Sequence, residues 1–215
     1  MAAKDIDLDR RIFMELYIIR HGETYWNHEH RIQGRSDVPL NENGRVLAGK
    51  TGEALEQTPF DVIYSSPLIR AYETANLIRG HRNIQIIRDD RLQEISFGIS
   101  EGEPLPALTE DPASPFHYFF DRPELYTAPA GGESLEHICA RASDFLKNEI
   151  EPREKDFSRV MIVAHAALNK ALLCHIMQHG IKDFWSDGRL LNCSACIFRL
   201  ENGHYEMLAY GKTFN

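Results

Sequence analysis

Three apolar runs in this chain each stop on a residue that can do chemistry, and each is followed by the start of a helix. Leu16 to Ile19 run into Arg20-His21-Gly22. Val62-Ile63-Tyr64 run into Ser65-Ser66-Pro67, with Arg70 one turn further on, and Val160 to Ala164 run into His165. Short continuous apolar runs are the signature of strands buried on both faces, which occur in parallel sheets covered by helices. In open α/β sheets the carboxyl ends of such strands line the ligand crevice. Lying parallel and side by side, these three would bring two histidines and two arginines to one crevice, a tetrad suited to a phosphoryl group.

The intervening segments support the same fold class. Residues 1–14 read as a charged extension, and Glu15 to Arg20 as the first strand. Asn41 can cap a helix from about Glu42 to Gln57 with Val46, Leu47, Ala54 and Leu55 on one face, although Gly44, Gly49 and Gly52 weaken its propensity. After the second strand, Asp61 to Ser65, Ser66 can serve as N-cap and Pro67 as first helical residue. Leu68, Ala71, Tyr72, Ala75 and Ile78 mark that helix, Gly80 ends it, and Ile84 to Ile87 supply a third strand. A β-α-β-α-β beginning implies a mostly parallel central sheet with right-handed crossovers and helices on both faces.

Periodicity is lost over residues 98–132, where prolines at 104, 106, 112, 115, 123 and 129 break any long element. Structureless stretches of this length inside a compact domain usually cover a site. The segment therefore reads as an irregular or helical lid insertion, with Phe116 to Phe120 as one short helix folded over the crevice. Helical spacing returns with Leu135, Ile138, Ala142, Phe145, Leu146 and Ile150 until Pro152 stops it. The helix Ala166 to Gln178 behind His165 is almost free of charge, as expected of a helix covered on several sides. Asn192 to Leu200 and His204 to Tyr210 flank an Asn202-Gly203 turn, a hairpin signal that predicts an antiparallel C-terminal strand.

Composition narrows the partners. A chain of 215 residues with 43% hydrophobic content can bury one sizeable core, so residues 1–215 are expected to form a single domain. No stretch approaches the roughly 20 apolar residues that span a bilayer, and residues 1–11 alternate charges where a leader would be apolar. A cytoplasmic protein is expected. The net charge of -8 argues against nucleic acid and anionic membrane as partners but allows a small anion in a local cationic pocket. Oligomeric state is not legible.

With these segments in place, the chain resembles the histidine phosphatase superfamily, in the branch containing cofactor-dependent phosphoglycerate mutases and small bacterial phosphatases. LYIIRHGETYWN, RIQGRSDVPLNENG, YSSPLIRAYETA, LQEISFG, GGES and MIVAHAALNKALL occur in the family's order over most of the chain. The resemblance implies His21 as a nucleophile forming a phosphohistidine, and Glu94 as the acid that protonates the leaving oxygen and then activates water. It implies Arg20, Arg70 and His165 around the equatorial oxygens, with Asn27, Gln33, Gly34 and Ala166 completing the substrate-binding set. Neutral imidazole attacks through one nitrogen only if the other gives its proton to an acceptor. Arginine forks can supply the positive charge, so no metal or other cofactor is expected.

Two departures from the family pattern bear on specificity: Ala166-Ala167 stands where glycine often follows the second histidine, and Ser100 stands where an aromatic residue often precedes Glu-Gly. The expected activity is metal-independent hydrolysis of a small organic phosphomonoester. A phosphoglycerate mutase, which must also hold a carboxylate and shield its phosphohistidine from water, is an alternative. Between Ile95 and Gly132, however, Arg122 is the only cation among six carboxylates. A second alternative is an idle relative that binds a phosphorylated ligand, although this chain retains both nucleophile and acid.

The remaining reactive residues read as ordinary ones. His28 and His30 flank Glu29 in a loop and are expected to face solvent. His175 and His179 have zinc-pair spacing without an accompanying glutamate pattern, so capping or packing is expected, with Gly180 ending the helix. Cys193 and Cys196 are expected to be small core residues on opposite faces of a strand.

Overall fold

A computed structural model describes residues 13–214, leaving most of the expected N-terminal extension outside the described residues. Six strands, Met14–Arg20 (β1), Val62–Ser65 (β2), Gln85–Arg88 (β3), Arg159–Ala164 (β4), Ala195–Glu201 (β5) and His204–Lys212 (β6), form one sheet in the order β3-β2-β4-β1-β5-β6. β1, β2, β3 and β4 run parallel, whereas β5 and β6 are antiparallel to their neighbours. Register places Arg20 beside Ala164, and Ser65 beside Val163. Residues following these three strands therefore emerge together at one edge. The expected α/β class with an antiparallel C-terminal strand is the observed one.

Among the described residues six α-helices accompany the sheet: Tyr25–His28 (α1), Glu42–Ala54 (α2), Ile69–Arg79 (α3), Leu105–Glu110 (α4), Leu135–Phe145 (α5) and Ala166–Met177 (α6). Alternating strand residues divide the core in two. Ile19, Ile63, Met161 and Val163 pack with Ala71, Ala75 and Ile78 of α3 and with Leu55. Leu16, Ile18 and Ile162 pack on the other side with Ile138 and Phe145 of α5 and Leu168 and Leu172 of α6. Each large apolar side chain so buried contributes roughly 1.5–3 kcal/mol. α6 is buried at nine of its positions, which accounts for its having a single Lys, the ion-paired Lys170, and no Arg, Asp or Glu.

Several local expectations need correction. The buried line of α2 is Gly44, Ala48, Thr51 and the capping Leu55, whereas Val46 and Ala54 face solvent. Glycine, unreadable as an apolar position, marks where this helix touches its neighbours. α3 starts two residues later than Pro67, with Leu68 at its cap; the Ser66 hydroxyl accepts from the Leu68 N–H just ahead of the helix and also bonds to His165. The run Phe116–Phe120 is a series of turns, not a helix; it forms an aromatic cluster with Phe97, Tyr126 and Trp185. α6 ends at Met177, with Gln178 left-handed at φ 55°, before Gly180 is reached. Cys193 precedes β5 at φ 56°, so strand alternation does not govern it, although both it and Cys196 are buried. Met14 belongs to β1 rather than to the extension.

Candidate active site

The strand ends meet as their sequence pattern implies. His21 follows β1, is 3% exposed, and places Nδ1 2.6 Å from the carbonyl oxygen of Gly22. A carbonyl only accepts, so Nδ1 carries the proton and Nε2 is left with the lone pair. Burial, and after it the charges of Arg70 and Arg20, hold the His21 imidazolium well below the ordinary histidine range. The ring is neutral at physiological pH. Gly22 is required here: a Cβ would stand 2.7 Å from the Gly44 carbonyl oxygen at the start of α2, and its own N–H donates to Thr74.

Arg70, in the first turn of α3, is 1% exposed and donates to the carbonyls of Gly34 and Ser36 at 2.6 and 2.9 Å. Burial lowers its pKa to about 10, which still leaves it charged at neutral pH. Arg20 donates to the Leu190 carbonyl at 2.7 Å, and burial lowers its pKa too. His165 is fully buried at the end of β4, 5.1 Å between ring centroids from His21, and is kept neutral first by burial and then by Arg70. Nε of Arg20, Nε of Arg70 and Nδ1 of His165 are buried without a hydrogen-bond partner among the described residues. Leaving a buried donor unmatched costs about 1–3 kcal/mol, which an anion's oxygens would recover.

Glu94 is buried beside them. Its Oε1 accepts from the N–H groups of Ile95 and Leu168, and Oε2 from that of Ala167. The carboxyl group thus sits on the amino end of α6. Its main chain is held in turn by Arg141, which donates to the Glu94 and Gln93 carbonyls and also grips Glu133. Burial by itself raises the Glu133 carboxyl, but the bonds and charge of Arg141, helped by His137 and Arg35, leave it net lowered. Asn27 closes a capping box with Thr24, whose hydroxyl also reaches Gln33.

A cavity of about 320 Å³ collects Arg20, His21, Asn27, Gln33, Gly34, Arg70, Glu94 and Ala166, with His165 buried directly behind. Every expected site residue is thereby brought together. Ser100 is buried and is not among the residues that line the cavity. Phe119 and Phe120 of the insertion do line it. Sequence reading missed Ser66, the Glu133–Arg141 support, and Arg31, Trp185, Arg189 and Asn192 in the wall. Glu133 lies in GGES, Ser66 in YSSPLIRAYETA and Arg31 in RIQGRSDVPLNENG, whereas Arg141, Trp185, Arg189 and Asn192 belong to no motif. The cations of the wall, Arg31 and Arg189, come from outside the insertion.

The other histidines behave largely as expected. His28 and His30 are exposed, though His30 also edges the cavity. His175 bonds to Ser143 and Glu151, a packing role. No group of three or more His, Cys, Asp or Glu residues that could hold a metal occurs among the described residues, and none of their helices is long and apolar enough to cross a membrane.

A mostly parallel sheet presenting a neutral histidine among buried, unmatched cationic donors defines a phosphoryl-transfer protein of α/β type. The chain belongs to the histidine phosphatase superfamily, branch 1, whose profile matches residues 16–213. It is 33% identical over 189 residues to phosphoserine phosphatase 1 of Hydrogenobacter thermophilus, covering 87% of each chain. It is 31% identical over 198 residues to a probable phosphoglycerate mutase, GpmB, of Salmonella choleraesuis, covering 92% of this chain and 89% of that one. Among solved structures, Bacillus stearothermophilus YhfR superposes with a TM-score of 0.85 at 33% identity, covering 93% of this chain and 98% of YhfR.

Proposed function

We propose that this chain is a metal-independent phosphatase that hydrolyses a small organic phosphomonoester through a phosphohistidine on His21. The observation that carries the reading is the set of three buried, partnerless nitrogens on Arg20, Arg70 and His165 beside a histidine whose Nδ1 proton is already committed to Gly22. His21 Nε2 attacks phosphorus, the P–O ester bond breaks, and Glu94 gives its proton to the departing oxygen. Water then loses a proton to Glu94 as its oxygen bonds to phosphorus and the Nε2–P bond breaks. The products are the alcohol and phosphate, and Glu94 is protonated again. Arg20, Arg70, His165 and the Asn27 amide stabilise charge on the transferring oxygens, work that preorganised donors do with little reorganisation.

Gln33, Gly34 and Ala166 shape the cavity at the phosphoryl end. Residues 1–215 act as one domain with residues 98–132 as its lid, and the four free cysteines and acidic charge support a cytoplasmic site of action. The relatives' names, phosphoserine phosphatase and phosphoglycerate mutase, support a small phosphorylated metabolite as substrate.

The test is His21→Ala together with trapping. Wild type quenched during turnover of a 32P-labelled monoester should yield an acid-labile, base-stable phosphoprotein, and His21→Ala should yield none while keeping its fold by circular dichroism. Substantial turnover by His21→Ala would overturn the mechanism. Interconversion of 2- and 3-phosphoglycerate with little free phosphate would make the protein a mutase. Loss of activity to a chelator would overturn metal independence.

A further inference from the structure

The segment between α6 and β5 carries a cation that the phosphoryl chemistry does not use. Arg189 lines the catalytic cavity, and its guanidinium lies over the ring of Phe120 from the insertion, 4.7 Å from the centroid. No carboxylate among the described residues lies within ion-pair distance of it. Glu110 and Asp121 share with it a neighbouring cavity, yet neither pairs with it. The other rim cation, Arg31, is committed: it donates to the Gly102 carbonyl and to Glu29 and stacks on Trp26.

Arg189 is also on a fixed mount. Asp187 pairs with the buried Lys170 of α6 at 3.7 Å, Tyr210 of β6 donates to the Gly188 carbonyl, and the Leu190 carbonyl accepts from Arg20. Asn192 then donates to the His21 carbonyl. Both flanks of Arg189 are thus tied to core or to the phosphoryl site, so its backbone is held in fixed relation to His21. Trp185, in the same wall, has a buried indole N–H with no partner among the described residues.

We infer that Arg189 is the specificity residue of this site, and that it selects phosphomonoesters bearing a carboxylate on the alcohol portion. A guanidinium fork matches a carboxylate with two parallel N–H···O bonds, and a planar cation held against an aromatic face keeps its edge for such a partner. One uncommitted cation balances one negative charge. A carboxylate meets that condition, whereas a second phosphate would bring more charge toward Glu23, which lines the cavity along with Glu94 and accepts from Asn41. Arg189 is itself exposed, and Phe119 and Trp185 add apolar surface to the same wall. Contact with Phe120 links the same recognition to the lid: a carboxylate on Arg189 joins the mount to the insertion over the reacting group.

This inference rests on the phosphatase reading, and its experiment separates the two. Initial rates of phosphate release are measured for 3-phosphoglycerate and for glycerol 3-phosphate, which differ in carboxylate against hydroxymethyl, with nitrophenyl phosphate as a general reporter. Wild type should prefer 3-phosphoglycerate in kcat/KM by about 10-fold or more, the worth of one charge-assisted pair in a partly exposed site. Arg189→Gln, which keeps a planar group against Phe120, should bring the ratio to about one, chiefly by raising KM for the acid, and Arg189→Lys should restore part of it. A wild-type ratio near or below one, failure of wild type on both three-carbon esters, or an unchanged ratio in Arg189→Gln would each overturn the role of Arg189. Absence of phosphate release from all three compounds, nitrophenyl phosphate included, would instead overturn the phosphatase reading and this inference with it.

Discussion

The Ser66 hydroxyl lies 2.8 Å from Nε2 of His165, joining the ends of two neighbouring parallel strands across 99 residues of sequence. His165 is held neutral by burial, so one of its nitrogens carries a proton and the other does not. If Ser66 donates to Nε2, the proton resides on Nδ1, the buried nitrogen without a protein partner. Nδ1 can then donate to a phosphoryl oxygen. The opposite tautomer would aim a lone pair at an anion. Ser66 is therefore a positioning residue acting through His165.

Ser66→Ala is expected to lower kcat/KM by about 10- to 100-fold, a loss comparable with that of one preorganised donor or somewhat less. The readout that a merely structural role would not move is the tautomer. Nitrogen NMR of the labelled protein should find His165 protonated on Nδ1 in wild type and a mixture of tautomers in Ser66→Ala. An unaltered tautomer together with full activity would remove Ser66 from the mechanism.

Glu94 should reveal itself through the leaving group. An alkoxide departs poorly without a proton, whereas a nitrophenolate is already stable as an anion. Glu94→Gln should slow an alkyl phosphate by about 100-fold or more, within the range of general acid catalysis, and an aryl phosphate far less. Glutamine retains the shape but sets an amide N–H₂ near the backbone donors of Ile95, Ala167 and Leu168 that the carboxyl group accepts from. A binding loss from this mismatch would lower both substrates alike. Equal losses in kcat on the two substrates would therefore assign Glu94 to positioning rather than proton transfer.

How far the site could be read depended on whether a residue announced its surroundings. His21, Arg70 and His165 follow apolar runs, and the period-one hydrophobicity of buried parallel strands carries them to the same edge without further information. Glu133 and Arg141 sit eight residues apart across a helix start, so their grip on Glu94 could not be inferred from periodicity. Arg189 lies in a stretch with no motif, and only the antiparallel return into β5 swings it over the cavity. Serine before proline reads as a helix cap, and Ser66 does accept from the Leu68 N–H beside the helix start; its second bond, to His165, joins strands 99 residues apart and leaves no local signal. The face of α2 was misread because its contacts are made by glycines, which hydrophobicity patterns ignore.

The two buried histidines make the fold acid-sensitive in a defined window. Their folded-state pKa values lie well below the usual 6.5, so as pH falls through that value the unfolded chain takes up protons that the native state refuses. Stability is then fully present above about pH 7 and falls below it, with a slope of about 1.4 kcal/mol per pH unit for each histidine, until the folded pKa values are reached. Glu133, whose carboxyl is lowered, adds a separate loss only at more acidic pH. Urea midpoints measured from pH 7.5 to 5 should show this decline, and His21→Gln should reduce its slope by about half. A flat wild-type profile would mean that His21 and His165 are accessible to protons in the native state.

The glycines of α2 offer a paired test of packing against propensity. Alanine is preferred over glycine by roughly 1 kcal/mol in a helix interior, so in the absence of contacts either substitution should stabilise. Gly49 meets nothing within 4 Å and has no left-handed φ, and Gly49→Ala should raise stability by up to about 1 kcal/mol with kinetics unchanged. At Gly44 a Cβ would stand 2.6 Å from the backbone nitrogen of Glu23 and nearer still to its carbonyl oxygen. Both atoms belong to the loop that carries His21. Main chain cannot turn aside as a flexible side chain can, so the clash exceeds the propensity gain, and Gly44→Ala should destabilise by about 1–3 kcal/mol. Because Gly22 touches Gly44 from the other side, the displacement should also reach the nucleophile, lowering kcat/KM in the fraction that remains folded. Calorimetry and steady-state rates on the two variants decide the point: a Gly44→Ala enzyme as stable and as active as Gly49→Ala would show that the helix shifts freely and that its approach does not fix His21.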